Sequence, residues 1–212
     1  MELRVLVADD HAVVRKGVLQ ILAEDPDILR ADEAASGRAA LRAIQEKEYD
    51  VLLLDIAMPE GGGLEVLEEL RKREHSPHVL ILSIYSESQY AVRALKSGAD
   101  GYLTKDSLPA ELLAAIHRVA DGRKYLSTAL AEELALQLAG AGPADAPHKD
   151  LSGREYQVMS LLAAGKSVAE IAAELGLSVS TVSTYRGRIL EKLGVKNTAG
   201  VIRYAIRHGL VE

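Results

Sequence analysis

The chain has 212 residues, room for one to two domains at about 150 residues each, and it contains no Cys, which excludes a disulfide framework or a thiol nucleophile and suits a reducing compartment. No apolar run approaches the roughly 20 residues that span a bilayer, and Met1-Glu2-Leu3-Arg4 lacks the charged start and apolar core of a signal peptide, so a soluble, cytoplasmic protein with no membrane partner is expected. The net charge of −6 conceals an asymmetry: from Leu151 onward 8 Lys and Arg face 5 Asp and Glu, a balance of +3, while residues 1–150 carry 17 against 26, a balance of −9.

In chain order, short apolar runs at Leu3 to Ala8, Val51 to Leu54, Val79 to Leu82 and Gly101 to Thr104 lack polar alternation, as strands covered on both faces do. A further strand is expected around Ile28 to Ala34. Between them, Val14 to Leu22, Gly37 to Ile44, Leu64 to Arg71, Ser88 to Leu95 and Pro109 to Val119 have helical spacing. Five alternations of strand and helix predict an α/β fold, a doubly wound five-stranded parallel sheet with right-handed crossovers. Ser127 to Leu138 has good helix formers and a possible Ser127 cap, and residues 139–147, rich in Ala, Gly and Pro, form a linker by composition. From Leu151 four short helices follow. Ser152 with Glu155 and Ser167 with Glu170 make capping boxes, Gly165, Gly176, Gly194 and Gly209 are stops, and Asn197 starts the last helix. The expected domains are therefore residues 1–122, a partly helical linker over 123–149, and a second, all-α four-helix domain over 150–212.

Asp9, Asp10, Asp55, Ser83 and Lys105 each stand where a strand run ends, and open parallel sheets bind ligands beyond the carboxyl ends of their strands. Taken singly, each is an ordinary turn residue, cap or solvated charge. Matching placement on four strands favours one shared pocket. Three carboxylates at one edge repel one another unless a cation sits among them, and oxygen donors with no nearby His or Cys favour Mg²⁺. With the charge neutralised, one carboxylate can act as a nucleophile towards a phosphoryl group. Asp55, at the end of the central strand, is the expected acceptor; Asp9 and Asp10 suit the metal, Lys105 a phosphate oxygen as a point charge, and Ser83 another by hydrogen bonding.

Val5-Leu6-Val7-Ala8-Asp9-Asp10-His11, Asp50-Val51-Leu52-Leu53-Leu54-Asp55-Ile56-Ala57-Met58-Pro59, Leu80-Ile81-Leu82-Ser83 and Gly98-Ala99-Asp100-Gly101-Tyr102-Leu103-Thr104-Lys105-Asp106 together resemble a response-regulator receiver domain, flavodoxin-like in fold. The resemblance implies that Asp55 takes a phosphoryl group from a partner histidine kinase. It also implies that Asp10, Asp55 and the Ala57 carbonyl bind Mg²⁺ with support from Asp9, and that Ser83 and Tyr102 form the switch, the Tyr102 ring rotating inward. One departure lies after Pro59: Glu60-Gly61-Gly62-Gly63 lacks the Asp that often caps the next helix, and three glycines predict a mobile loop. Ala57 and Tyr85 occupy positions that in the family influence access of water.

In the basic part, two helices joined by Gly176-Leu177 make a helix-turn-helix candidate with the second helix as the groove reader. Val182, Ile189 and Leu193 form its inward stripe, leaving Ser180, Thr181, Ser183, Thr184, Tyr185, Arg186, Arg188 and Lys192 for DNA. Leu151-Ser152-Gly153-Arg154-Glu155, Gly165 to Ala172, Leu177 to Arg186 and Ile189 to Val195 resemble LuxR-type regulators, whose last helix, here about Thr198 to His208, pairs two copies on DNA. Ser183 stands where a base-contacting Lys is common, and Gly187 replaces a larger polar residue. The whole chain is thus similar to the NarL/FixJ group. The expected function is a phosphorylation-controlled transcriptional regulator that binds a two-fold symmetric DNA site and dimerises when phosphorylated. The receiver would promote only its own phosphorylation and dephosphorylation. Two rivals remain: a regulator whose receiver serves only for dimerisation, and a Mg²⁺-dependent phosphatase. The phosphatase is opposed by Ala57, which stands where such enzymes carry a general-acid Asp.

Overall fold

In the computed structural model, strands β1 (Leu3–Ala8), β2 (Ile28–Ala34), β3 (Val51–Asp55), β4 (His78–Ser83) and β5 (Gly101–Thr104) form one parallel sheet in the order β2-β1-β3-β4-β5. The structure describes residues 2–58, 62–73, 75–83, 87–128, 130–132, 135 and 146–210. Three expectations therefore lie wholly or partly outside the described residues: Tyr85, the start of the glycine loop at Pro59, Glu60 and Gly61, and most of the linker and its preceding helix. The chain divides into two compact units, residues 1–135 and 136–212.

The sheet is buried on both faces because its inner strands are apolar without alternation. Leu3, Val5, Val7, Val51, Leu53, Leu80, Leu82 and Leu103 share a core with Val18 and Leu22 of α1 (Ala12–Leu22) and with Leu112, Ala115, Ile116 and Val119 of α5 (Leu108–Ala120). By the two-residue repeat of a strand, Leu6, Leu52, Leu54, Val79, Ile81 and Tyr102, all fully buried, point to the other face. Helices α2 (Gly37–Glu46) and α3 (Gly63–Leu70) pack together, and α4 (Glu87–Lys96) packs on β5. Edge strand β2 is half exposed, with Leu29 60% accessible, which explains its weak apolar signal. The α/β alternation, the strand bounds of β1, β2 and β5 and the five helices agree with the sequence expectation. The first unit runs past the fifth helix: Tyr125 bridges Gly101, and Leu130 and Ala131 donate their N–H groups to Ser127, its hydroxyl accepting from Leu130 at 3.2 Å.

In the second unit, helices α6 (Gly153–Ala163), α7 (Val168–Glu174), α8 (Val179–Leu193) and α9 (Thr198–Arg207) follow. Both capping boxes are formed: Ser152 and Ser167 accept from the N–H of Glu155 and Glu170, whose carboxylates accept from Ser152 and Ser167 N–H at 2.7 Å. Ser178 caps α8 and Asn197 caps α9. Gly176 turns α7 into α8 with φ 62°, in the left-handed region that favours glycine. Val182, Ile189 and Leu193 are buried on α8 as expected, packing it on α6 and α7.

Candidate functional site

Register sets the acidic pocket. Ala8 pairs with Leu54, Asp55 with Leu82 and Ser83 with Thr104, so Asp9, Asp55, Ser83 and Lys105 emerge side by side from β1, β3, β4 and β5. The order reverses between β1 and β3, where crevices open in such sheets. Asp9 and Asp55 are buried, at 0% and 1% exposure. The Lys105 ammonium bridges them, 2.6 Å from Asp9 Oδ2 and 2.9 Å from Asp55 Oδ2. The Ala57 N–H donates to Asp55 Oδ1 at 3.0 Å. Burial pushes the Asp55 carboxyl above its ordinary value and Asp9 adds to the rise, against the opposing pull of Lys105 and the Ala57 N–H. For Lys105, burial acts to lower the pKa, but Asp55 and Asp9 outweigh it and hold the ammonium above its usual range. Ser83 and Tyr102 are completely buried, Tyr102 two residues before the β5 position that faces Ser83.

Two residues were missed by sequence reasoning. The expectation of a pocket without His is corrected: His11 Nδ1 lies 2.9 Å from Asp10 Oδ1 and 3.3 Å from Asp9 Oδ1, and one ligand atom each from Asp9, Asp10, His11 and Asp55 lie within 4.8 Å of one another. The irregular turn after β1 folds His11 back, its N–H donating to Asp9 Oδ1 at 2.7 Å. Gly63 is not merely part of a mobile loop, since its N–H donates to the Ile56 carbonyl and a Cβ there would fall 2.1 Å from the Asp55 carbonyl oxygen. As expected, α3 has no side-chain cap, with Gly62 in the capping position.

On α8, Ser180, Thr181, Thr184, Tyr185 and Arg188 line one open depression of about 300 Å³. Ser183 and Gly187 are exposed on the same helix, while the Arg186 Nε donates to Thr198 Oγ1 at 3.0 Å and holds α8 to the start of α9. Lys192 is not part of that group. Its ammonium donates to the buried Glu155 carboxylate at 2.6 Å and to the Asp150 carbonyl at 3.1 Å, clamping the end of α8 to the start of α6. Burial acts to raise the Glu155 pKa, but Lys192 and Ser152 outweigh it and hold the carboxyl low.

The family model of the response regulator receiver domain matches residues 5–117, which include β1 from Val5 on, β2 to β5 and the acidic edge. The chain is a response regulator. The family model of bacterial regulatory proteins of the luxR family matches residues 149–205, making the second unit a LuxR-type DNA-binding domain. This response regulator is 34% identical to "Response regulator UvrY" of Escherichia coli K12 over 98% of its own length and 95% of the relative's. It is 42% identical to "Transcriptional regulatory protein UhpA" of Salmonella typhimurium over 91% and 92%. Among solved structures it is similar to Salmonella enterica RcsB bound to a promoter in the presence of phosphomimetic BeF3⁻, with a TM-score of 0.67, 25% identity and 96% and 98% coverage. It is also similar to ChrA of a heme-sensing two-component system, with a TM-score of 0.53, 35% identity and 99% coverage of both chains. As a NarL/FixJ-group member it is a DNA-binding transcriptional regulator of a two-component system.

Proposed function

We propose that Asp55 accepts a phosphoryl group from a partner histidine kinase and that this event controls binding of α8 to a two-fold symmetric DNA site by a homodimer. The carrying observation is a buried carboxylate at the end of the central strand, raised in pKa by burial and held by Lys105 and the Ala57 N–H. In the transfer, an Asp55 oxygen forms a bond to phosphorus as the N–P bond of the kinase phosphohistidine breaks, and the imidazole leaves with the electron pair. Hydrolysis reverses the carboxylate's role: water attacks phosphorus, a proton is lost to solvent, and Asp55 is the leaving group.

The residues fit a divalent cation. Asp10 Oδ1 is buried and accepts no hydrogen bond, and the clustered donors need a positive partner besides Lys105. Asp10, Asp55 and the Ala57 carbonyl would hold Mg²⁺, with Asp9 in support; the ion would supply charge neutralisation for the incoming phosphoryl oxygens. Lys105, already a bridge between two carboxylates, can exchange one of them for a phosphoryl oxygen. Ser83, at the end of β4 beside β3, can donate to another, and Tyr102 on the neighbouring β5 is fully buried, which supports its part in the switch. These placements support a two-state switch. The exposed hydroxyls of Ser180, Ser183 and Thr184, with Thr181, Tyr185, Arg186 and Arg188, supply the DNA face, in keeping with the promoter-bound RcsB relative. The protein acts in the cytoplasm and turns over no other substrate. Among the described residues no helix is long and apolar enough to cross a membrane.

Intact-mass analysis after incubation with Mg²⁺ and a small-molecule phosphodonor tests this reading. One phosphoryl group on wild type and none on Asp55→Ala, with a shift towards dimer, is expected. Equal labelling of both proteins would refute Asp55 as the acceptor.

A further inference from the structure

His11 contacts the buried Asp9 carboxylate through both its backbone N–H and its ring. It occupies the capping position of α1 with φ −86° and ψ 107°, yet its side chain makes no capping hydrogen bond. Ser, Asp or Asn would serve that position better. Its ring, 63% exposed, is turned instead towards the carboxylates, with Nδ1 2.9 Å from Asp10 Oδ1 and 3.3 Å from Asp9 Oδ1. Nδ1 makes its hydrogen bond with Asp9 Oδ1, whereas Asp10 Oδ1 is buried and accepts no hydrogen bond, so the imidazole stands beside that oxygen without satisfying it.

That spacing suits a shared ion. Adjacent ligands of an octahedral cation with bonds of about 2.1 Å stand about 3.0 Å apart, and opposite ligands about 4.2 Å. The 2.9 Å pair matches adjacent positions, and one donor atom each from Asp9, Asp10, His11 and Asp55 lie within 4.8 Å of one another. Resting on the divalent-cation reading of the pocket, we propose that His11 Nδ1 is a direct ligand there. The site is then a mixed oxygen and nitrogen site, to which Mn²⁺, a hard ion that still accepts imidazole more readily than Mg²⁺ does, binds in preference to Mg²⁺. Imidazole nitrogen suits transition metals, whereas Mg²⁺ gains little from exchanging a water for nitrogen. The exposed side of the ring leaves the ion exchangeable with solvent.

The test uses the full chain, stripped with chelator, as wild type, His11→Ala and Asp10→Asn. Free Mn²⁺ is followed by electron paramagnetic resonance, and Mg²⁺ is measured by competition. His11→Ala should weaken Mn²⁺ binding by roughly tenfold or more while changing Mg²⁺ binding far less. Pulsed measurements on the wild-type Mn²⁺ complex should show the coupling of a directly bound ¹⁴N, lost in His11→Ala. That coupling is read on wild type and does not depend on the variant folding. Mn²⁺ bound without nitrogen coupling, or an unchanged Mn²⁺ to Mg²⁺ ratio in His11→Ala, overturns the His11 ligand and leaves the cation pocket standing. Failure of both ions to bind wild type, or binding indifferent to Asp10→Asn, overturns the pocket reading and the ligand with it.

Discussion

Replacing Gly63 by Ala puts a methyl group where the last carbonyl of β3 already stands. The new Cβ would lie 2.1 Å from the Asp55 carbonyl oxygen, 2.9 Å from its carbon and 3.0 Å from Ile56 Cα. A carbon against a carbonyl oxygen needs about 3.3 Å, so roughly 1.2 Å must be found. The neighbour is backbone, and no side-chain rotation relieves the clash. If α3 retreats, the Gly63 N–H bond to the Ile56 carbonyl and the packing of the buried Leu64, Val66, Leu67 and Leu70 suffer, an overpacking cost of about 1–3 kcal/mol. If the Asp55 carbonyl yields, the carboxylate leaves its contacts with Lys105 and the Ala57 N–H, and a misplacement near 1 Å costs up to about 100-fold in rate. Ala is the better helix former by about 1 kcal/mol, so helix propensity works in the opposite direction. Urea unfolding of the receiver and a phosphorylation time course by intact mass, run on the same preparation, measure both routes. Lower stability, slower phosphorylation or both are expected. Wild-type stability together with a wild-type rate would refute the close-packing argument.

Other predictions concern charge and the recognition helix. Because burial raises the Asp55 pKa in the folded state, its ionised form costs stability: the loss sets in as pH rises above the unfolded value and is complete above the folded one. Metal-free Asp55→Asn should therefore melt higher than wild type at neutral pH, with the gain vanishing in acid; a lower melting point would contradict it. Asp100, at the opposite end of the sheet, accepts from Val79 N–H at 2.8 Å, Arg71 at 2.8 Å and Lys124 at 2.9 Å. Burial acts to raise its pKa, but these partners outweigh it and hold the value low, so its stabilisation is present above the unfolded carboxylate value and lost as pH falls through the folded one. Asp100→Ala should cost about 2–3 kcal/mol in urea unfolding and leave phosphorylation of Asp55 intact. Gly187 lies inside α8, and a methyl group added there would meet nothing within 4 Å, so Gly187→Ala should stabilise the domain by up to about 1 kcal/mol. It is exposed on the same helix as Ser183 and Thr184, so DNA affinity, read by fluorescence anisotropy, should fall at the same time. Lys192→Ala should destabilise the second unit by about 1–2 kcal/mol through Glu155 while the DNA affinity of the folded fraction stays near wild type.

How much of this was legible followed from the range of each interaction. Strands β1 and β5 were readable to the residue because an apolar run and the polar residue ending it are neighbours in the chain, and parallel register then gathers the ends. Val182, Ile189 and Leu193 were readable because helical spacing is local. His11 was not: an i to i+2 contact in an irregular turn has no period, and only the backbone bend brings its ring over Asp9 and Asp10. Gly63 read as one of three loop glycines because the need for it lies in the carbonyl of Asp55, on another element. Lys192 read as one more cation on a DNA-facing helix, and its partner Glu155 was already assigned to a capping box. A carboxylate has four acceptor positions, and Glu155 uses them for both the Ser152 N–H and Lys192. The hidden residues are thus those that join one element to another or sit in an aperiodic turn, which is why the approach of His11 to the carboxylates needed the folded chain while the place of Asp55 at the end of β3 did not.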